Sequence, residues 1–224
     1  GYGCLARRNG IDSALDTDMF SVFDLEYEYD IREVFDKYLA GKARLSHYLD
    51  MLNFQEGVYP ANYNKLRFLE NHDQPRICSY VHDERALENY TAFLYFLKGT
   101  TLIYAGQEFE NTHLPSLFDK DPIDRKTGRD LSSLLCRLYA IKQRFGSADW
   151  FRAEADDAKD IAVLQRGSGN RRFIGVFSLK GQSAEITVDL SDGSRENLLD
   201  GTAVEVKDGK LFCNSKPMIL CTDA

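Results

Sequence analysis

Apolar and polar positions follow two rhythms along the chain, and the change from one to the other divides it. In the first part, apolar residues recur at helical spacing between short runs rich in β-branched and aromatic side chains. Met19-Phe20-Ser21-Val22-Phe23-Asp24-Leu25 reads as a short strand. Behind it, Ile31, Val34, Phe35, Tyr38 and Leu39 fall on one helical face; Asp30 with Glu33 forms a capping-box pattern, and Gly41 suits the stop. A second helix is predicted over 46–55 and a strand over 65–70. Asp83 then opens a helix reaching Lys98, with Leu87, Tyr90, Leu94 and Leu97 as its stripe and Gly99 at its end. Residues 100–105 are too few and too β-branched for a helix, so they predict a buried strand closed by Gly106. The stretch from Gly106 to Arg129 is a loop of a length that compact domains keep for function or leave disordered. Asp130 caps a last helix carrying Leu131, Leu134, Leu135, Leu138 and Ile141, with Gly146 beyond it. Strand followed by helix, three times over, implies parallel strands joined by crossover helices.

Beyond about Trp150 the period shortens. Strand-like runs at 161–165, 172–179, 184–190 and 203–206 alternate with the turn signals Gly167-Ser168-Gly169-Asn170, Asp192-Gly193 and Asp208-Gly209, which predicts a small antiparallel β-domain. The acidic, Ala-rich residues 147–160 hold the boundary, so the expected domains are 1–149 and 150–224. Residues 1–18 show no clear period. Gly1-Tyr2-Gly3-Cys4 carries neither an initiator Met nor a signal-peptide pattern and does not read as a natural start.

Composition narrows the partners more than the fold. A chain of 224 residues with 43% hydrophobic content can bury a core, and no apolar run approaches the ~20 residues that span a bilayer. With 28 basic against 35 acidic residues, the net charge of -7 argues against nucleic acid and against a membrane surface as partners. The five cysteines, Cys4, Cys78, Cys136, Cys213 and Cys221, are odd in number, scattered and without a Cys-x-x-Cys pair. They indicate neither a disulfide framework nor a zinc site, and reduced thiols imply a cytoplasmic protein.

Chemistry concentrates in one place. The run from Lys65 breaks into Asn71-His72-Asp73, and Gln74-Pro75 stops the strand from continuing. As a bare tripeptide it is equally a turn cap with a satisfied imidazole beside it. Its position at the carboxyl end of a strand in a βα repeat favours a functional reading, because that end of a barrel collects catalytic groups. Elsewhere the signals lapse. Asp119-Lys120-Asp121-Pro122-Ile123-Asp124 fails as a calcium loop, having Asp124 where an EF-hand needs Gly. His47, His82 and His113 do not complete a metallophosphatase set with His72-Asp73, and the sequon Asn89-Tyr90-Thr91 falls within a helix. There is no phosphate-cradling glycine loop and no nucleophile elbow. No cofactor is implied.

Two stretches carry a resemblance. Phe68-Leu69-Glu70-Asn71-His72-Asp73-Gln74-Pro75-Arg76 resembles the motif at the end of barrel strand seven in the alpha-amylase family of glycoside hydrolases and transglycosylases. Gly99-Thr100-Thr101-Leu102-Ile103-Tyr104-Ala105-Gly106-Gln107-Glu108 resembles that family's strand eight and its following turn. The helix to Phe145 and the region of Asn197-Leu198-Leu199-Asp200-Gly201 are similar to its last barrel helix and C-terminal sandwich. The resemblance covers roughly the whole chain. It implies an α/β fold: a partial (β/α)8 TIM barrel of about three C-terminal βα units, followed by a small antiparallel β-sandwich. It implies Asp73 as the catalytic carboxylate that holds sugar hydroxyls and favours an oxocarbenium-like transition state, His72 as a substrate-binding imidazole and Asn71 as its support. Glu108 would serve the strand-eight turn, and the loop 106–129 would wall the cleft.

The departures matter as much. Retaining glycosidases need two carboxyl groups ~5–5.5 Å apart, and in this family the nucleophile and the acid come from strands four and five. The nucleophile's Arg-x-Asp occurs nowhere in this sequence, and 1–149 is well short of the ~250 residues of a whole barrel. The implied parent acts on α-glucosidic linkages of an α-glucan or oligosaccharide, while this chain alone is expected to be inactive. Its open sheet edges are expected to pair with the missing N-terminal barrel portion or with another copy. The alternatives are a non-catalytic amylase-like protein that binds carbohydrate or a partner, and an unrelated metal-dependent α/β hydrolase.

Overall fold

The structure, a computed structural model, describes residues 15–146 and 148–223. The readings made for residues 1–14, Cys4 and the chain start among them, lie outside the described residues. Three short strands form a parallel sheet in the order β1 (Glu26–Tyr27), β2 (Lys65–Arg67), β3 (Thr100–Thr101). The connections are helical: α1 (Asp16–Met19) precedes β1, α2 (Arg32–Leu39) and α3 (Leu45–Val58) link β1 to β2, α4 (Glu84–Phe96) links β2 to β3, and α5 (Ser132–Phe145) follows. This is the arc of strand–helix units expected of a partial barrel. No helix among the described residues is long and apolar enough to cross a membrane.

Several expected boundaries move. The run 19–25 is not a strand. Asp18 accepts from the amide of Leu15 (2.8 Å) and starts α1, and the amides of Val22 and Phe23 both turn back to the carbonyl of Met19. Phe20 is drawn instead against the rings of Tyr59 and Tyr63, and the strand begins only at Glu26. Asp30 does not cap α2, which starts at Arg32; its carboxylate accepts from Gln55 and Tyr59 (2.7 Å each) and lies 3.3 Å from Lys65. The cap read at Asp83 is present, its side chain accepting from the amide of Ala86 (2.7 Å), whereas the last helix is entered through Leu131, and Asp130, one residue earlier, accepts from the amide of Ser132 (2.8 Å).

The helix-facing side of β2 is charged. Lys65 and Arg67 are buried, and their charges are met by groups far away in sequence. Lys65 reaches Glu26 (2.7 Å) and Asp16 (2.9 Å) under the ring of Tyr59, while Arg67 pairs with Glu28 and donates to Gln55 of α3 (2.8 Å). Burial pushes the Lys65 ammonium down, but Asp30, Glu26 and Asp16 outweigh it and hold it above its usual range.

The second half is two antiparallel sheets. One has the order β7 (Ser183–Thr187), β10 (Lys210–Asn214), β9 (Ala203–Lys207), β8 (Gly193–Glu196); the other runs β11 (Met218–Asp223), β6 (Arg171–Ser178), β5 (Ile161–Ser168), β4 (Trp150–Asp156). β4 occupies half of the acidic stretch 147–160. Its residues alternate outward and inward, with Trp150, Arg152 and Glu154 exposed and Phe151 and Ala153 buried. β5 has apolar cover on both faces. Ile161 and Val163 meet Ile186, Val206 and Leu211 of the other sheet, whereas Ala162 and Leu164 share a core with Leu49, Phe93, Phe96 and Phe145 of the helices. Rings of Phe96, Phe145, Phe173 and Phe177 interlock across that second contact at 4.8 to 5.7 Å. Gly175 makes room for it: a Cβ there would lie 2.5 Å from the ring of Phe177. Asn89 of the sequon is buried in the same contact, donating to the carbonyls of Arg85 and Ser215 and accepting from the amide of Ser178, all at 2.8 Å.

Candidate functional site

β2 carries the chain into a turn that is fixed from below. Glu70 and Arg76 have fully buried side chains and meet at 2.6 Å. The other oxygen of Glu70 accepts from the amide of Ile77 (2.7 Å). Arg76 donates onward to the carbonyls of Ala105 and His113 (2.9 Å each), and its guanidinium lies 4.5 Å from the centre of the Tyr104 ring. One cation thereby binds the exit of β2, the exit of β3 and the loop beyond it. Gly106 allows the close approach, since it sits at φ 96° and a Cβ there would come within 2.9 Å of Ile123 and 3.2 Å of Arg76.

On this base stands Asn71-His72-Asp73. Asn71 is 1% exposed. Its oxygen accepts from the amide of Asp73 (2.9 Å) and its Nδ2 donates to the hydroxyl of Tyr29 (2.8 Å), which donates in turn to Oδ2 of Asp73 (3.1 Å). Nε2 of His72 lies 3.4 Å from the same oxygen, and the side chains of His72 and Asp73 are 46% and 44% exposed. The structure thus brings the three residues singled out in the sequence together. It presents two of them to solvent and buries the third as their brace. An oriented carboxylate beside an imidazole can accept from sugar hydroxyls and stabilise developing positive charge. It cannot by itself perform a double displacement, which takes two carboxyl groups. The acid nearest in sequence, Glu70, is buried and spent on Arg76.

Tyr29 was not singled out in the sequence. It lies two residues past β1, at the carboxyl end shared with β2, as the register Tyr27↔Leu66 requires. Its ring packs against Phe68 (5.3 Å) and Tyr27 (5.7 Å). The available signal was its place at a strand exit next to the motif. If the rest of a barrel is supplied and Asp73 acts on substrate there, Tyr29→Phe is expected to leave the fold intact and to lower kcat about ten- to a hundredfold, because Asp73 loses one anchor and can swing out of position. Steady-state kinetics separate this from a structural role, since the loss should fall on kcat with KM little changed; an unchanged kcat would remove Tyr29 from the site.

The loop after β3 is ordered by its own polar groups. Glu108 accepts from the amide of Gly106 (2.7 Å) and its carbonyl from that of Leu131 (2.8 Å), so it serves the turn. Asp121 accepts from the amide of Ser116 (2.9 Å) and lies 2.7 Å from Nε2 of His113; these two contacts hold its carboxyl below the usual range. Asp124 accepts from the amide of Lys126, and Arg129 ties the loop to α4 through Glu110 (2.7 Å) and Glu88 (2.8 Å). Among the described residues no group of three or more His, Cys, Asp or Glu is arranged to hold a metal ion. Cys78, Cys136 and Cys213 are free thiols.

Comparison with known proteins places this geometry. Residues 15–162 match the family described as alpha amylase, catalytic domain, and residues 152–220 match the bacterial alpha amylase C-terminal domain. A crystal structure of an alpha-amylase from Lactobacillus plantarum superposes with a TM-score of 0.90 at 32% identity, covering 99% of this chain and 53% of that one. Alpha-amylase 2 of Schwanniomyces occidentalis is 28% identical over 137 residues, which is 55% of this chain and 26% of the relative. A probable oligo-1,6-glucosidase of Bacillus subtilis is 32% identical over 129 residues, 54% of this chain and 20% of the relative. The chain therefore spans about half of the solved relative, and about a quarter and a fifth of these two curated ones.

Proposed function

Because the chain belongs to the alpha-amylase family, we propose that it forms one wall of a retaining glycosidase or transglycosylase site acting on α-glucosidic linkages of a glucan or oligosaccharide. Asp73 is the carboxylate that binds hydroxyls of the sugar at the scission point and favours its flattened, positively charged transition state. His72 hydrogen-bonds the same sugar. Asn71 and Tyr29 hold Asp73 in register. The observation that carries this reading is the joint Asn71–Tyr29–Asp73 hydrogen bonding at the carboxyl end of β2, with the exposed carboxylate braced by groups that are themselves fixed.

In this reading the nucleophile and the general acid come from strands that would extend the sheet. Among the described residues β1 and β3 each have a single neighbour in their three-stranded sheet, and Val22, Phe23, Leu25 and Tyr27 are exposed beside it. Those edges and that apolar face suit the remaining strands of a barrel, or a second copy in their absence. The 224-residue chain on its own is expected to release no reducing sugar from maltooligosaccharides, and to regain hydrolysis when the rest of the barrel is supplied. Turnover by the chain alone would show that the acid and nucleophile lie within it and overturn the assignment of roles.

A further inference from the structure

At the opposite end of the parallel strands from Asp73 lies a cleft of about 540 Å³ whose charge is one-sided. Asn64, just ahead of β2, and Thr100, the first residue of β3, mark that amino end. The other walls are Lys98, Lys142 and Gln143 of the helical half and Arg166 of β5, so the cleft spans both halves of the molecule. No carboxylate among the described residues lines it, although the chain as a whole carries a net charge of -7. Lys98 has Glu56 at 3.1 Å. Lys142 and Arg166 spend their hydrogen bonds on main-chain carbonyls instead. Lys142 donates to Tyr95 and Leu97 (3.0 and 2.9 Å), and Arg166 donates to Phe96 (3.0 Å).

Those carbonyls end α4, and their dipoles explain why the two cations point there. A helix terminus contributes only about half an elementary charge, so it does not balance an ammonium and a guanidinium drawn in together. Arg166 is 4% exposed, and its Nε has no hydrogen-bond partner among the described residues. Burial, with Arg166 and Arg67 nearby, lowers the Lys142 pKa to about 7, the response expected of a positive cluster whose charge Glu56, paired with Lys98 and acting on Arg166, offsets only in part.

We propose that this cleft is a binding site for a phosphate-class oxyanion, inorganic phosphate or the phosphate of a sugar monophosphate, held by Lys98, Lys142 and Arg166. A compact tetrahedral anion supplies the missing negative charge and accepts from all three cations at once, guanidinium–phosphate pairing being the strongest of these contacts. Its hydrogen-bonding neighbours would be the amide of Gln143 and the hydroxyl of Thr100, both exposed at the rim. A ligand here would join the helical half to the β-sheets. It would act on the molecule's stability without touching the exit of β2.

The test is calorimetric titration of the protein at pH 7 and low salt with inorganic phosphate and, separately, with glucose 1-phosphate, alongside thermal unfolding. Saturable binding and a rise in Tm beyond that of chloride at equal ionic strength are expected. Tighter binding of the ester would identify a sugar phosphate as the ligand, and equal binding the free anion. Gln143→Glu sets a carboxylate at the exposed rim, where it repels the anion, and should weaken phosphate binding at least tenfold. Arg166→Gln should abolish binding, and the rim variant keeps the test decisive if that protein does not fold. A phosphate effect no larger than that of chloride, or undiminished binding by Gln143→Glu, would overturn the proposal.

Discussion

Asp73→Asn is expected to lower kcat on maltooligosaccharides by about 10²–10³ once the rest of the barrel is in place, the cost typical of removing one preorganised transition-state contact. The substitution is nearly isosteric. It keeps an oxygen to accept from Tyr29 (3.1 Å) and leaves the backbone amide bonded to Asn71 (2.9 Å), so the turn survives. What disappears is the negative charge beside a sugar ring that becomes positive only as the bond breaks. The loss should therefore appear in kcat more than in KM, with thermal unfolding unchanged because the side chain is 44% exposed. A variant with full kcat would remove Asp73 from the catalytic set, and a variant that unfolds early would give it a structural part instead.

The largest effect on stability is expected from Arg76→Met. Both side chains of the Glu70–Arg76 pair are fully buried. Truncating one partner leaves Glu70 charged without its cation and frees the carbonyls of Ala105 and His113. Removing one member of a buried pair costs about 3–5 kcal/mol, a large part of the total stability of an ordinary domain. Chemical denaturation should show this as a lower midpoint at unchanged slope. Replacing Glu70 by Gln in the same protein should recover part of the loss, because the uncompensated charge is then gone. A midpoint within experimental error of the parent would mean that the exits of β2 and β3 are held by something other than this cation.

Some of this architecture could be read from the sequence because its signals are local. Asn71-His72-Asp73 interrupts an apolar-rich run just where Pro75 forbids extension, and the stripe of α4 and its Asp83 cap sit within a few residues of one another. What could not be read depends on partners distant in sequence. Lys65 and Arg67 look like the wet residues of a half-buried strand, yet Asp16, Glu26 and Glu28 make the buried side chargeable. Asp30 has the pattern of a cap because Glu33 follows it. Gln55, Tyr59 and Lys65 claim its carboxylate instead. The alternation of β4 is present in 150–156, but the acidic, Ala-rich composition of 147–160 resembles a linker, and only pairing with β5 shows it to be a strand. Tyr29 carries no motif at all. Its part follows from the β1–β2 register, which no single strand reveals.

The apolar contact between α3–α5 and the inner face of β4–β6 bears on how such a chain can be rearranged. Ala162, Leu164, Phe173 and Phe177 belong to the same core as Leu49, Phe93, Phe96 and Phe145, and Asn89 bonds across the joint to the main chain on the far side. The β-sheets are consequently not an exchangeable module hung from the barrel by a tether. Recombination between Phe145 and Trp150 would graft a foreign surface onto a jigsaw fitted to these aromatic rings, and both parts would carry the misfit. Inheritance of the two halves as one piece is written into the packing of four phenylalanines and one glycine.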